Sequence, residues 1–441
     1  MALRDLTLED LGCAVILAFF AMQGSIPFIA PNQALESTRS AASSLTLYGG
    51  ILSQAFVYAG IALLLLRRIH RVFRWLGAMQ WAGAIALLVI ASTAWSQFPL
   101  LTLRRSLPFA LAALFGLYFA IRFPIRRQLA ILSMAMLALA LATIVFVLCF
   151  PSLGHDASAG HHLDWQGVFT QKNACGRIMV LATAAVLADW RFTAAKLFSL
   201  LLFLFLIVMS GSRGAWAIEL VILTLFAWLA IAKRTDGRSR LVLAAITSGA
   251  SVVLVIVAWV HLPLLLSLAG RDLTLSGRTE IWKQVWRFIL ERPALGWGYA
   301  AFWRGIEGQS FEVVAAVRFI VFHAHNGFLE IWLELGLVGL ALFALSYLRA
   351  WRKLWPTLRS GDISRATWMV CVLVLIALYD LDENTLLIYN GLFWVLYVAT
   401  LANTELLSVE NRFALHVART IRRASLLSIA DPALDIGSGS P

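Results

Sequence analysis

Apolar stretches long enough to cross a lipid bilayer recur along almost the whole chain and are separated by polar loops. Because one crossing needs about 20 apolar residues, the sequence predicts an all-α polytopic membrane protein with about 12 transmembrane helices. The composition agrees, since 61% of the residues are hydrophobic and only 14% are charged. The predicted spans lie near residues 11–29, 47–66, 76–95, 107–121, 129–150, 174–188, 197–209, 215–232, 241–261, 327–348, 366–380 and 385–402.

Basic residues are concentrated in alternate loops, and this pattern predicts the orientation of the chain in the membrane. With the amino terminus inside, the inner segments hold about 23 Arg and Lys residues and the short outer loops about five, as expected from the positive-inside rule. We therefore expect both termini in the cytoplasm and a long extracytoplasmic loop at 262–325. The net charge of +12 comes from these short clusters between apolar spans, so it does not indicate nucleic-acid binding.

The chain is predicted to form one integral-membrane domain over residues 1–423, followed by a cytoplasmic tail at 424–441 that we expect to be disordered. The apolar run at 11–29 lacks a cleavage signal, so we interpret it as a retained first helix. The four cysteines lie in or beside apolar spans without paired spacing, which indicates neither disulfides nor a thiolate metal site.

The loop at 262–325 is the only long polar interval between spans, and its basic residues suit chemistry on an anionic substrate. Within it, Trp282, Val285, Trp286 and Ile289 fall on one face of a helix, which predicts an interfacial amphipathic helix that ends before Pro293. Arg278 stands at the amino end of this helix, where the helix dipole favours an anion. The alternative is an arginine in a surface turn. The basic residues of the loop are Arg271, Arg278, Lys283, Arg287, Arg292, Arg304 and Arg318.

A short turn between two spans, Ser210-Gly211-Ser212-Arg213-Gly214, is a second candidate anion site. In a tight glycine-rich turn, backbone N–H groups and the guanidinium fork of Arg213 can converge on one phosphate. The alternative is a cationic turn whose arginine only reaches lipid headgroups.

The loop ends in His325-Asn326, and Glu330 and Glu334 follow about one turn apart inside the next span. A histidine at a membrane boundary can take a proton from a sugar hydroxyl near neutral pH. Carboxylates inside a membrane are costly and therefore suggest function. In the alternative reading, the histidine caps the helix and the glutamates pair with loop arginines. For Gly336, farther along the span, we expect a role in close helix packing.

Two groups of polar residues contain side chains that can bind metals, but the sequence predicts no metal at either group. His155, Asp156, His161, His162 and Asp164 share one loop, but their spacing matches no closed ligand set. The acidic residues of the segment Asp380-Leu381-Asp382-Glu383 could hold a divalent cation, as acidic pairs do in some sugar transferases. A solvated turn is the favoured interpretation.

In their order along the chain, these motifs resemble the O-antigen ligase and polymerase family. The resemblance covers nearly the whole chain, and it is the ordered combination that is specific. It is carried by Trp95-Ser96-x-x-Pro99 before Arg104-Arg105, Gly167-x-Phe169-x-x-Lys172-Asn173, the turn at Arg213, Ser276-Gly277-Arg278-Thr279-x-Ile281-Trp282, and His325-Asn326 followed by Gly336-x-x-Gly339.

This resemblance implies an inverting, metal-independent glycosyltransferase that needs no cofactor. Its implied donor is an oligosaccharide on undecaprenyl pyrophosphate, and its acceptor is a hydroxyl of a second glycan, at the periplasmic face of the bacterial inner membrane. Arg213 and Arg278 would hold the pyrophosphate, and His325 would activate the acceptor hydroxyl. Further substrate contacts are expected from Lys172, Asn173, Asn326, Glu330 and Glu334. Membrane lipids are further expected partners, as are a chain-length regulator and a flippase.

Within the family, Gly296-Trp297-Gly298-Tyr299 and Lys172-Asn173 look closer to polymerases that build succinoglycan-like exopolysaccharides than to ligases that use lipid A-core. Enzymes of the family that transfer glycans to proteins are the third alternative, after polymerases and ligases. A transporter of lipid-linked glycans is a competing class, but it predicts charges at the bilayer midplane and often an internal repeat, and a purely structural partner is a further alternative. The sequence shows no repeat, and its notable charges gather at the outer edge.

Overall fold

The computed structural model describes residues 6–25, 44–156, 164–191, 193–235, 239, 242, 278–360 and 362–430. The predicted span at 241–261 apart from residue 242, the loop segment at 262–277 and the end of the tail at 431–441 lie outside these residues.

Every predicted span within the described residues overlaps a helix, so the all-α membrane architecture is confirmed. The first helix ends at Ala21, before the predicted end of its span at 29, and residues 26–29 lie outside the described residues. Eight helices of this part of the chain are long and apolar enough to cross a membrane. In chain order the helices are α1 (Leu8–Ala21), α2 (Ser44–Arg67), α3 (Ile69–Trp75), α4 (Gln80–Ala91), α5 (Pro99–Arg122), α6 (Ile125–Cys149), α7 (Pro151–Gly154), α8 (Lys172–Ala188), α9 (Ala194–Met209), α10 (Arg213–Ala232), α11 (Arg278–Glu291), α12 (Ser310–Val317), α13 (Gly327–Ser360), α14 (Ile363–Asp382) and α15 (Leu392–Ala430).

The last helix differs from its predicted bounds at both ends. It begins at Leu392 and not at 385, because the backbone N–H and hydroxyl of Thr385 donate to Oδ1 of Asp380 and turn the chain after α14. At the other end, residues 424–430 continue α15, so the predicted tail boundary at 424 does not mark the end of the helix.

Ion pairs tie several helices together at one end of the bundle. Arg122, at the end of α5, lies 2.7 Å from Glu9 of α1, and Arg127 of α6 pairs with the buried Asp10 of α1. These contacts place the start of α1 beside the α5–α6 connection, as expected if both lie on the same side of the membrane.

Helix α11 is amphipathic as predicted, but its apolar face has a different environment from the one expected. Ile281, Val285, Phe288 and Ile289 are buried in a second hydrophobic core, separate from that of the spanning helices. Trp286, predicted to lie on this face, is 44% exposed. The prediction of a headgroup environment is therefore wrong for the buried face, because the loop residues themselves cover it. The other side chains of this core include Trp297, Phe302, Val313, Val321 and Leu333.

The spanning helix α13 is interrupted at Gly336, which adopts φ 68° and ψ −171°. The segment 293–298 lies against this break and pairs with its backbone. Leu337 N donates to Pro293 O at 2.8 Å, and Gly298 N donates to Glu334 O at 2.9 Å. A Cβ at Gly336 would lie 2.1 Å from Ala294 O, so only glycine permits this approach. The expected role of Gly336 in helix packing is thus corrected to a helix break that receives a loop.

The same loop also contacts the segment between α4 and α5 and the first turn of α5. Trp95 Nε1 donates to Leu295 O at 2.9 Å, and the hydroxyl of Thr102 donates to Tyr299 O at 3.0 Å. Tyr299 is fully buried. Two motifs that are distant in sequence, Trp95-Ser96 and Gly296-Trp297-Gly298-Tyr299, therefore meet in the fold and position the chain that leads to the histidines.

Candidate functional site

Three acidic side chains at the carboxyl end of α14 form the centre of the candidate site. Asp380 and Glu383 are 0% and 3% exposed, whereas the Asp382 side chain is 37% exposed. The sequence interpretation of this segment as a solvated turn is therefore wrong for two of the three. We refer to Asp380, Asp382 and Glu383 as the acidic end of α14.

The first turns of three helices, and Arg278 of α11, approach this acidic end. Gly327 of α13 packs so closely that a Cβ would lie 2.1 Å from Oδ1 of Asp380, and a Cβ on Gly214 of α10 would lie 2.5 Å from Oδ2 of Asp382. Arg278 and Asn173, which lies on the first turn of α8, both contact Glu383. Because helix amino termini carry partial positive charge, the three helix starts and Arg278 together make a favourable site for anions. The helix start at Arg278 stays a prediction, because residue 277 lies outside the described residues.

Arg278 and Asn173 bind the same oxygen of Glu383. The guanidinium Nη2 lies 3.5 Å from Oε1, and Nδ2 of Asn173 donates to Oε1 at 3.3 Å. Arg278 also pairs with Asp382. Only 16% of its side chain is exposed, which is consistent with an arginine held in place by two carboxylates.

Lys172 and the turn before α10 share a different acid. Lys172 Nζ lies 2.7 Å from Oδ2 of Asp164, and a Cβ on Gly211 would lie 2.2 Å from Oδ1 of the same residue. Ser212 caps α10 by accepting from Ala215 N at 3.4 Å. The exposed Arg213 is the first residue of α10 and is followed by Gly214 against Asp382, so the turn places this arginine at the edge of the acidic end.

The two histidines before α13 lie on the opposite side of Glu383. Nε2 of His323 is 3.5 Å from Oε2, and Nδ1 of His325 is 3.4 Å from the same oxygen. The ring centroids are 4.1 Å apart, and His325 N donates to Nδ1 of His323 at 3.1 Å. His325 has a left-handed backbone, with φ 50°, a conformation that non-glycine residues rarely adopt and that often marks functional segments.

Asn326, and not His325, caps α13. Its Oδ1 accepts from Leu329 N at 3.0 Å, and its Nδ2 donates to Leu381 O at 3.4 Å. The alternative interpretation of His325 as a helix cap is therefore incorrect.

The surroundings of Glu383 and His323 lower the pKa values of both side chains. Burial would raise the pKa of Glu383, but contact with His325 and the nearby positive charges lower it well below its usual range. Burial is also the main reason that the pKa of His323 is lowered, with His325 adding to the effect. At neutral pH we therefore assign an ionised Glu383 and a neutral His323.

Glu330 and Glu334 are buried beneath the histidine loop. Glu330 accepts from Trp303 Nε1 at 2.6 Å and from Ala324 N at 2.7 Å, and it is 1% exposed. Within the part of the chain that the structure describes, these two donors, and not a loop arginine, are the partners shown for Glu330. The backbone of Ala324 lies between the two histidines, so Glu330 holds the loop that carries them. Contact of Glu330 or Glu334 with substrate stays a prediction.

Two residues of this arrangement are not identified as site residues by the sequence alone. They are His323, which lies two residues before His325, and Glu383, for which the sequence favours a solvated turn. The available signal was the position of three acids at the end of a span, since burial of such groups requires partners. Of the residues first weighed for zinc, His155 contacts Pro151 O and Asp164 pairs with Lys172, whereas His161 and His162 lie outside the described residues.

Comparison with known proteins identifies a family and a relative that this chain resembles. The sequence model of the family described as O-antigen ligase matches residues 198–344, a stretch that contains Arg213, Arg278 and His325. The exopolysaccharide production protein ExoQ of Rhizobium meliloti (strain 1021) is 26% identical over 279 residues, or 60% of this chain and 62% of that protein.

The predicted resemblance to the O-antigen ligase family is confirmed. The chain spans less than two thirds of the length of the curated relative that it matches. The stretch matched by the O-antigen ligase model does not include Lys172, Asn173 and Glu383. These three residues are included in the candidate site because of their contacts in the structure.

Proposed function

We propose that this chain is a membrane glycosyltransferase that joins oligosaccharide repeat units, carried on undecaprenyl pyrophosphate, into an exopolysaccharide. The observation that carries the proposal is the convergence of three helix amino termini, those of α8, α10 and α13, with Arg278 and the histidine loop. A pyrophosphate needs positive charge and N–H donors on one side, and a glycan acceptor needs a base on the other.

The donor pyrophosphate is assigned to the arginine side of the acidic end. Arg278 and Arg213 offer planar guanidinium forks that match phosphate oxygens. Lys172 lies on the neighbouring helix start and adds a further cation. These groups stabilise the charge that grows on pyrophosphate as it leaves, which is the role that a metal ion has in many glycosyl transfers.

The acceptor hydroxyl is assigned to His325. Nδ1 of His325 lies 3.4 Å from Oε2 of Glu383 and makes no hydrogen bond to the described residues in this geometry. In the proposed mechanism a small rotation of the ring forms this bond, which places a proton on Nδ1 and leaves Nε2 to accept one. In the proposed step, the acceptor oxygen forms a bond to the anomeric carbon as the bond from that carbon to the pyrophosphate oxygen breaks. The hydroxyl proton moves to His325, the bonding electron pair leaves with pyrophosphate, and the configuration of the sugar is inverted.

We place the site at the periplasmic face of a bacterial inner membrane, with both termini in the cytoplasm. Support comes from the charge distribution, because the basic loops fall on the side of the bundle away from the acidic end. The α1, α5 and α6 contacts at Arg122 and Arg127 are consistent with this orientation. Membrane lipids are then immediate neighbours, and a flippase and a chain-length regulator are proposed as partners.

A ligase that transfers the same lipid-linked glycan to lipid A-core is the second candidate. It is favoured by the match to the family described as O-antigen ligase. The name of the Rhizobium relative favours exopolysaccharide formation. The two reactions share a donor and differ in the acceptor, so the test is to incubate purified protein with one lipid-linked repeat unit alone. A ladder of products supports a polymerase. A single product that requires lipid A-core supports a ligase, and no reaction with either acceptor contradicts both.

A further inference from the structure

His323, His325 and Glu383 have the composition and spacing of a metal-binding group. Their ligand atoms all lie within 4.8 Å of one another. The distances from Oε2 of Glu383 to the two imidazole nitrogens are 3.5 and 3.4 Å. Two ligands on a tetrahedral zinc ion with bonds of about 2.0–2.1 Å are separated by about 3.3 Å. Two of the three separations therefore already approximate tetrahedral edges, and the third is within reach of small side-chain rotations.

The remaining contacts of Glu383 would support such an ion. Oε1 is occupied by Asn173 at 3.3 Å and by Arg278 at 3.5 Å, whereas Oε2 faces the two histidines. Outer hydrogen bonds of this kind orient the ligand carboxylate at a metal site. Arg278 also pairs with Asp382, which offsets the guanidinium charge next to the proposed ion.

The ligand set also selects the type of metal. Two imidazole nitrogens and one carboxylate oxygen suit Zn²⁺ and similar transition ions, while Mg²⁺ and Ca²⁺ require more oxygen ligands. Three protein ligands leave a fourth position open for water. The group is only partly covered, since the His323 and His325 side chains are 24% and 29% exposed, so an ion can reach it.

We propose that His323, His325 and Glu383 bind one Zn²⁺ ion and that this ion inhibits the enzyme. This inhibition rests on the proposed function, because the ion would occupy the nitrogen of His325 that faces Glu383 and separate the base from the carboxylate that orients it. It would also add positive charge to the imidazole and so weaken it as a base. The site is thus an inhibitory one in a reaction that itself uses no metal.

Binding is tested on the full chain, purified with a histidine-free affinity tag, stripped with a chelator and titrated with Zn²⁺ against a chromogenic chelator. We expect one ion per chain, with affinity lowered at least about tenfold in His323→Ala and in Glu383→Gln. His70→Ala is the matched control, because His70 is an exposed residue of α3, and it should leave the affinity unchanged. Equal zinc affinity in all four proteins would overturn the proposal.

A second measurement keeps the test valid if a variant does not fold. Co²⁺ added to the unaltered protein should give the intense visible absorption of a tetrahedral site, and Zn²⁺ should displace it. Absence of this band together with absence of zinc binding would overturn the proposal without any variant.

The inhibitory effect is measured separately from binding. Zn²⁺ at saturating concentration should reduce product formation from the lipid-linked repeat unit at least about tenfold, and a chelator should restore it. If the ion binds but the rate is unchanged, the inhibitory role is wrong. If the zinc-free protein forms no product with any acceptor, the proposed function fails, while the zinc site is still decided by the titration.

Discussion

Nδ1 of His325 lies 3.4 Å from Oε2 of Glu383, although the two residues stand at the ends of different spanning helices. The contact joins the loop before α13 to the segment after α14. Since one ring nitrogen is turned to the carboxylate, the other is the one left for a substrate hydroxyl. The pair therefore has the arrangement of a base and the group that orients it.

Replacement of His325 by alanine should remove the base and leave the anion site intact. We expect turnover to fall roughly a hundredfold to ten-thousandfold while the lipid donor still binds. Donor affinity and turnover should be measured on folded protein in nanodiscs. Near-normal turnover would contradict the assigned role, as would loss of donor binding.

Replacement of Arg213 or Arg278 by alanine should affect both donor binding and rate. A charged hydrogen bond to phosphate contributes about 1.5–3 kcal/mol, so donor affinity should fall about tenfold to a hundredfold. Lysine should restore only part of it, because an ammonium lacks the guanidinium fork. Arg287→Ala is the control, since Arg287 is half-exposed and pairs with Glu312 away from the acidic end. An equal loss in this control would argue against specific phosphate contacts.

Removal of divalent ions should leave the rate of glycosyl transfer unchanged or higher. In the proposed mechanism Arg213 and Arg278, and not a metal ion, stabilise the negative charge of the pyrophosphate. The proposed zinc ion is inhibitory, so its removal should not lower the rate. The measurement is product formation after dialysis against EDTA. Loss of activity that Mg²⁺ or Mn²⁺ restores would show that the reaction needs a metal, and would direct attention to Asp380, Asp382 and Glu383.

Substitution of Gly336 by alanine should destabilise the protein. Its backbone lies in a region that is essentially restricted to glycine, where strain costs about 1–3 kcal/mol, and the added Cβ would meet Ala294 O at 2.1 Å. Gly83→Ala in α4 is the control, because nothing lies within 4 Å of its Cβ and alanine favours a helix by about 0.5–1 kcal/mol. Thermal unfolding in detergent should show a lower Tm for Gly336→Ala only. An unchanged Tm would mean that the loop does not depend on this close approach.

The proposed orientation predicts where reporter fusions are active. A reporter fused after Gly308 should be active only in the periplasm, and one fused after Arg126 only in the cytoplasm, because the basic loops favour the inner side. The reverse pattern would invert the topology and separate the site from its proposed donor.

Most spans were predictable because they depend on local patterns. Runs of apolar residues locate the helices, and α13 begins at Gly327, directly after the residues at which the sequence predicts the end of the loop. The position of Glu383 was not predictable, since its four partners come from α8, α11 and the histidine loop, and only the packed bundle brings them together. The break at Gly336 was not predictable for the same reason. A glycine within an apolar run is typical of close helix packing, and the loop that packs into the break is some forty residues away in sequence.

The interruption of α13 also has a consequence for biosynthesis. A bilayer cannot satisfy backbone groups that a broken helix leaves unpaired, and at Gly336 their partners belong to the segment 293–298. Ribosomes release that segment before Gly336, so it is already available when α13 is delivered to the membrane. Insertion of α13 in its final form therefore requires the docking of a stretch that was synthesised earlier. For this span, the order of synthesis and the order of assembly coincide.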